Sequence, residues 1–366
     1  MKGQVAIIGA GLSGLLLGKR LQEAGISFKI FEARNRLGGR ILTLTDAQKR
    51  VEMGATWFGS QHIHLRALLD ELSIESFSQF QDGKGIFEAS SMSPIQAFEL
   101  PEEEQSSFRI VGGTNTLINR LASHLGTTTV KTNAAVTAVH QTDDGLLLHF
   151  EHLSPEPFDR VVSTLPPNLF LHKLEFDPPL SPEMRSLATQ THTWMGTSIK
   201  FGVTYERPFW RERGFAGICF SNSSIASEIH DHSDELGEKF SLKGFLVPGA
   251  VKLTAAQREE MVRDQLKRFF GEAGGDYLQY DELLWANESY TMGGLSNDLV
   301  PHLNNGNPAF ATAEMDNKLL LSGSETSPVY GGYMEGAVYA AQLATEWVRS
   351  QVSPHPSQHP DGRLTS

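Results

Sequence analysis

Two glycine-rich segments stand at opposite ends of this chain, each with the spacing of a loop that lets backbone approach a ligand closely. Near the start, Gly9-Ala10-Gly11-Leu12-Ser13-Gly14 follows the apolar run Val5-Ala6-Ile7-Ile8. Gly9 permits a tight turn, Gly11 lets the backbone approach a diphosphate, and Gly14 lets a helix pack closely on a strand. The N-terminus of that helix presents free N–H groups and the positive end of its dipole to the same phosphates. Glu32 ends the next strand-like run, where a carboxylate can accept both hydroxyls of an adenosine ribose. Near the other end, Gly323-Ser324-Glu325 precedes Tyr330-Gly331-Gly332-Tyr333-Met334-Glu335-Gly336-Ala337. A chain built this way is expected to fold back so that both ends grip one long cofactor. That geometry favours FAD over a shorter ligand.

The elements that must position these loops are legible in the apolar spacing. Val5 to Ile8 reads as a buried parallel strand, 12–21 as a helix stopped at Gly25, and 27–32 as a second strand. This is one βαβ unit, whose right-handed crossover puts the first glycine loop at the carboxyl edge of the sheet. Helices are predicted over 61–72, 116–125 and 254–270, the last with Thr254 as N-cap. Strands are predicted over 130–141, 145–151 and 158–165, with a long one over 193–205 whose neighbours are 215–221 and 240–247. The closing unit is a strand at 319–321, the glycine loop, and a helix from 336 to about 348.

Size and charge narrow the classes. The 366 residues exceed a usual single core, so two domains are expected. The net charge of −12 argues against nucleic acid as a partner and draws cations, protonated amines among them, towards the surface. Cys219 is the single cysteine, which excludes an internal disulfide framework and fits a reducing, cytoplasmic compartment. No stretch is apolar for long enough to span a bilayer, so no membrane partner is expected. His62 and His64 alternate like metal ligands but lack an acidic or cysteine partner nearby, so no metal is expected. Phe77, Phe80, Phe87 and Phe98 are pocket candidates, although aromatic residues at such spacing more often fill a core.

The segment after the second strand is more specific. Glu32-Ala33-Arg34-Asn35-Arg36-Leu37-Gly38-Gly39-Arg40 resembles the extension of glutathione-reductase-like flavoproteins, especially the monoamine and polyamine oxidase family. Met53-Gly54-Ala55-Thr56-Trp57 is similar to the stretch these oxidases run under the flavin, with Ala55 in place of a second glycine. Ile110-Val111-Gly112-Gly113, the strand carrying Val136, Ser163-Thr164-Leu165-Pro166-Pro167, Trp285 and Tyr290-Thr291-Met292-Gly293-Gly294 come in the family's order. So does the closing loop with Gly323, Ser324, Glu325, Gly332, Tyr333, Met334 and Ala337. The resemblance reaches Val348 and is compressed in the middle.

The resemblance implies an α/β fold with a glutathione-reductase-like, Rossmann-type FAD domain and an inserted, smaller α+β substrate domain. The FAD domain is expected over 1–58, 108–174 and 293–350, the substrate domain over 59–107 and 175–292, and a flexible tail over 351–366. It implies contacts to FAD from Ala10, Leu12, Ser13, Ala33, Arg34, Gly39 and Arg40 beside the glycines and Glu32. Further contacts are implied from 54–57, Val136, Thr164, Trp285 and the closing loop.

By itself, Lys200 within an apolar strand reads as edge protection or snorkelling. The resemblance makes it instead the lysine that holds a water against the flavin, where a cation assists reoxidation by O2. Leu295 stands where mammalian relatives carry the cysteine that attaches flavin covalently, which implies non-covalent FAD. Ser296 stands where they place one tyrosine of an aromatic clamp, and Tyr333 preserves the other.

The expected activity is oxidation of an amine C–N bond to an imine, with O2 reduced to H2O2. An FAD-dependent desaturase or protoporphyrinogen-oxidase-like enzyme, and a flavin-binding interaction protein, remain as alternatives.

Overall fold

In a computed structural model of the chain, the described residues are 4–101, 107–126, 129–292 and 299–352. Val5–Ile8 pairs in parallel with Phe28–Phe31, and the helix Leu12–Glu23 makes the crossover. Val130–Lys131 adds outside Phe28–Phe31, while Arg160–Ser163 and then Leu319–Leu321 add on the other side, all parallel. Successive residues of a strand face opposite sides, so both faces of this sheet must be covered. Val5, Ile7, Ile30 and Leu320 pack under Leu12–Glu23 and the closing helix Met334–Val352. Ala6, Ile8, Phe31 and Leu319 pack against a second sheet that contributes Val139, Leu148 and Phe150.

This topology brings the two glycine loops together. Both leave the carboxyl edge of the same sheet, with Thr164 between them. The Thr164 hydroxyl donates to the Ile8 and Gly9 carbonyls at 3.0 and 3.3 Å. A Cβ on Gly323 would sit 3.1 Å from the Thr164 carbonyl. The ends of the chain meet there.

A seven-stranded sheet forms the other half of the molecule. Its middle pairs Ile199–Tyr205 with Phe240–Leu246, which pairs in turn with Ala226–Asp231. Across these strands Lys200, Phe245 and Glu228 form one row, continued by Phe220 on the next strand. Gly202, Lys243 and His230 form the row behind it.

Several expectations need correction. The strand predicted over 193–205 begins only at Ile199, because Met195 at φ 57 turns the chain and the Gly196 amide closes onto the Thr193 carbonyl. The run 130–141 breaks at Asn133, φ 52, where the chain leaves one sheet for another. Phe215–Ser221 shares a sheet with Ile199–Tyr205 but pairs with Ala226–Asp231 and Lys84–Glu88, not with it. Ala226–Asp231 and Gln279–Leu284 carry polar and charged residues on half-buried positions, so their strand pattern was not recognisable. The predicted helix over 254–270 is present, with Thr254 and Gln257 forming a reciprocal cap.

Candidate active site

A cavity of about 420 Å³ opens at the carboxyl edge of the parallel sheet. Gly9, Gly11, Leu12 and Ser13 line it from the first loop, and Glu32, Ala33, Arg34, Gly39 and Arg40 from the segment after the second strand. Ala55, Val136, Thr164, Ser324, Gly332, Met334 and Ala337 complete the predicted residues that reach it. The glycines act differently from one another. A Cβ on Gly14 would lie 2.0 Å from the Gly9 carbonyl oxygen, so Gly14 serves helix–strand approach and stands behind the cavity. A Cβ on Gly11 would meet nothing closer than the Gly38 carbonyl at 4.0 Å, leaving a cradle open on the cavity side. No side chain caps the helix that starts there, so its first N–H groups remain available to an anion. The cradle fits a diphosphate.

Glu32 is held by the loop it serves. Its two carboxylate oxygens accept from the Ala10 and Arg34 amides, each at 2.9 Å. Two acceptor positions remain for ribose hydroxyls. Ala10 therefore contributes through its amide rather than by lining the cavity. Arg34 spans to Glu288 at 3.2 Å and the Thr291 hydroxyl at 2.8 Å, tying the first loop region to a distant segment.

Arg40 and Glu325 join the two ends directly. The Arg40 guanidinium meets the Glu325 carboxylate at 2.5 and 2.8 Å and donates to Ser324 Oγ at 2.9 Å. Burial of the fully enclosed Glu325 opposes its charge, yet Arg40 and Ser324 hold its carboxyl below the ordinary range. Glu325 and Gly323 thus support the cavity wall from behind it.

A second chamber of about 510 Å³ continues past Arg40, Ala55, Gly332 and Met334, which border both spaces. Gly54, Thr56, Trp57, Trp285, Tyr333 and Lys200 line it, together with Trp194, Met195, Glu228 and Phe245. Lys200 is buried and donates to the Gly54 carbonyl at 2.6 Å. Burial pushes its ammonium down to about 8, against the opposing pull of Glu52. Gly54 must be glycine because a Cβ would meet the Arg40 carbonyl oxygen at 2.3 Å. Trp285 donates to the Met53 carbonyl at 2.8 Å, fixing the strand that enters this turn.

Tyr333 does not stand alone. Its ring lies 5.3 Å from His302 at 14° and 5.4 Å from Trp194, while Trp194 stacks on His302 at 3.9 Å. Sequence reasoning missed Trp194 and His302, because the turn at Met195 that aims Trp194 lay inside a predicted strand. Ser296, proposed to face Tyr333, and Leu295 lie outside the described residues.

Glu228 also went unnoticed, since one carboxylate on a mixed strand carries no local signal. It borders the Lys200 chamber and a third space, lined also by Trp57, Phe98, Phe220 and His230. The hydrogen bond from His230, at 2.5 Å, holds the Glu228 carboxyl below its ordinary range. Of the four phenylalanine candidates, Phe98 lines this third space, whereas Phe77 packs under Arg109 and Phe80 under Arg211. Phe87 belongs to the seven-stranded sheet beside Phe220. His62 and His64 pack on Tyr330 and Tyr339, and Cys219 is a core residue whose thiol is pushed up by burial. No helix among the described residues is long and apolar enough to cross a membrane.

The chain matches the family described as flavin containing amine oxidoreductase over residues 12–89 and 83–348. It is similar to putrescine oxidase of Kocuria rosea, 24% identical, with 79% of this chain and 83% of the relative covered. It is also similar to flavin-containing amine oxidase B of Homo sapiens, 23% identical over 94% of this chain and 85% of the relative. Among solved structures, wild-type putrescine oxidase bound to putrescine matches with a TM-score of 0.83 at 23% identity, covering 95% of this chain and 99% of that one. Cyclohexylamine oxidase from Brevibacterium oxydans matches with a TM-score of 0.84 at 19% identity and the same coverage of 95% and 99%. These matches favour amine oxidation over the desaturase and binding-protein alternatives.

Proposed function

Because the chain belongs to the flavin-containing amine oxidoreductase family, we propose that it oxidises a small diamine or polyamine with FAD and O2. The observation that carries the substrate class is the row Lys200, Phe245 and Glu228 across three adjacent strands. That row and Tyr333 line the same chamber, and its Glu228 carboxylate also borders the third space. The reacting amine occupies the Tyr333 end. A second, protonated nitrogen rests against Glu228.

The chain's residues then do four things. The Gly11 cradle and Glu32 anchor the diphosphate and ribose of FAD. Arg40, fixed by Glu325, and the 54–57 turn border the space between the two cavities. Tyr333, backed by His302 and Trp194, gives an aromatic face against which the amine is oriented. The apolar walls from Phe245, Trp285 and Met195 disfavour charge, so the amine binds there as the free base and no side-chain proton acceptor is needed. FAD held there would supply the acceptor for a hydride equivalent from the α-carbon, so that the amine would leave as an imine open to hydrolysis and O2 would be reduced to H2O2. Lys200 provides the positive charge that favours that last transfer.

The same reading divides the chain into an FAD-binding part over 1–58, 108–174 and 293–350 and a substrate part over 59–107 and 175–292. It places the protein in the reducing cytoplasm, in keeping with one buried, unpaired cysteine.

Glu228→Gln tests the substrate class. Because this carboxylate is 40% exposed, screening limits its contribution, and we expect about a tenfold rise in KM for a diamine. The KM of an alkyl monoamine of equal length should hardly change. Equal effects on both, in steady-state peroxide assays, would remove Glu228 from substrate recognition.

A further inference from the structure

Trp194 is held at the second chamber in a way that core packing does not call for. The other four of the five tryptophans spend their indole N–H inside the protein. Trp57 donates to Gln79 and Trp210 to Asp231, each at 2.7 Å. Trp285 donates to the Met53 carbonyl at 2.8 Å and Trp347 to Asn317 at 3.3 Å. Buried indoles ordinarily find such a partner. Among the described residues no atom accepts from the Trp194 indole, and its N–H is not enclosed. The ring lines the chamber beside Tyr333, whereas His302, in contact with both rings, lines neither cavity.

Three separate segments bend to bring these rings together. Met195, φ 57, turns the chain just after Trp194; His302 itself stands at φ 61; Tyr330, φ 45, and Gly332, φ 91, precede Tyr333. Residues other than glycine seldom enter this region, and those that do gather where a ligand is held. Gly332 is needed for room, since a Cβ there would lie 2.6 Å from the Trp194 Cβ. Both backbone groups of Trp194 are also pinned. Its amide donates to Glu325 at 3.3 Å, and its carbonyl accepts from Arg40 at 3.1 Å. Arg40 and Gly332 border both cavities, so the indole is anchored at their junction. Glu228, by contrast, borders the third space.

The Trp194 and Tyr333 rings lie 5.4 Å apart and are inclined by 41°. A group sandwiched between two faces needs about 7 Å, so these rings are adjoining faces of one wall. We propose that Trp194 is a specificity-determining residue of this chamber, and that the reacting end of an alkyl amine lies across the Trp194 and Tyr333 faces together. This deepens the proposed amine oxidation and rests on it. The contact is made at the end that every amine substrate shares. It therefore acts on diamines and monoamines alike, independently of Glu228.

The test uses two variants of the FAD-loaded protein. Trp194→Leu keeps apolar bulk but loses the ring, and Trp194→Phe keeps a ring. In steady-state peroxide assays Trp194→Leu should raise KM about tenfold for a diamine and for a monoamine of equal length, with their ratio unchanged. Trp194→Phe should keep both values within about threefold. Equal KM values in the two variants would reduce Trp194 to filling space and overturn the proposal. So would an effect confined to the diamine. An independent measurement uses protein labelled with fluorotryptophan and reduced with dithionite, so that no turnover occurs. The 19F signal that is absent in Trp194→Phe should shift as butylamine is added. A signal that stays in place overturns the proposal, even where Trp194→Leu does not fold. If no amine bleaches the oxidised flavin, amine oxidation falls, and the fluorine signal still decides whether Trp194 meets an amine.

Discussion

Lys200→Met should slow the reaction of the reduced, flavin-loaded protein with O2 by about a hundredfold, the usual consequence of losing one preorganised group at a developing charge. Methionine matches the length and fills the buried space, but brings no positive charge to the Gly54 turn. The pH dependence separates this role from packing. Burial lowers the Lys200 ammonium from 10.5 to about 8, so the cation is present below that pH and lost above it. The oxygen reaction of the unaltered protein should therefore fall as pH rises through about 8, and that step should vanish in Lys200→Met. Stability should move the other way. The folded chain binds this proton more weakly than the unfolded chain does. The cost is thus fully present below pH 8 and disappears above 10.5, where neither state holds the proton. Removing the amine should not destabilise the fold at neutral pH. Stopped-flow oxidation and a denaturation curve, taken together, check both halves; an unchanged oxygen rate removes Lys200 from the mechanism.

Glu325→Ala should cost about 3 kcal/mol of stability and strip the protein of FAD. The carboxylate is fully enclosed and carries two hydrogen bonds from Arg40. Its loss leaves the Arg40 guanidinium, only 24% exposed, without its counter-ion at the junction of the two cavities. The same cut separates the two chain ends, since Arg40 belongs to the first loop region and Glu325 to the closing one. Urea denaturation and the flavin-to-protein absorbance ratio measure the two effects. A midpoint and a flavin content that both stay unchanged would show that the ion pair does not hold the ends together.

Much of this site was legible because its signals are local. Gly9 to Gly14 lies between a strand and a helix, and each glycine answers a steric demand that a few neighbouring residues impose. Glu32 was legible from its place at the next strand end. Lys200 was visible as a charge among apolar residues, although its chemistry came from resemblance rather than from pattern. Glu228 was not visible, since what matters about it is the register of antiparallel strands, which brings it beside Phe245. Trp194 and His302 depend on backbone turns at positive φ, at Met195 and at His302 itself, that apolar alternation does not report. Tyr333, singled out by resemblance, lines the second chamber as one ring of a stack of three, and its two partners carried no signal in the sequence.

The most direct measurement is an anaerobic titration of the purified, FAD-loaded protein with a panel of amines, monitored by flavin absorbance. Diamines and polyamines should bleach the oxidised flavin, with monoamines of equal length requiring higher concentrations, and admitting O2 should restore the colour. If no amine in a broad panel bleaches the flavin, the assignment of amine oxidation to the chamber between Lys200 and Tyr333 fails.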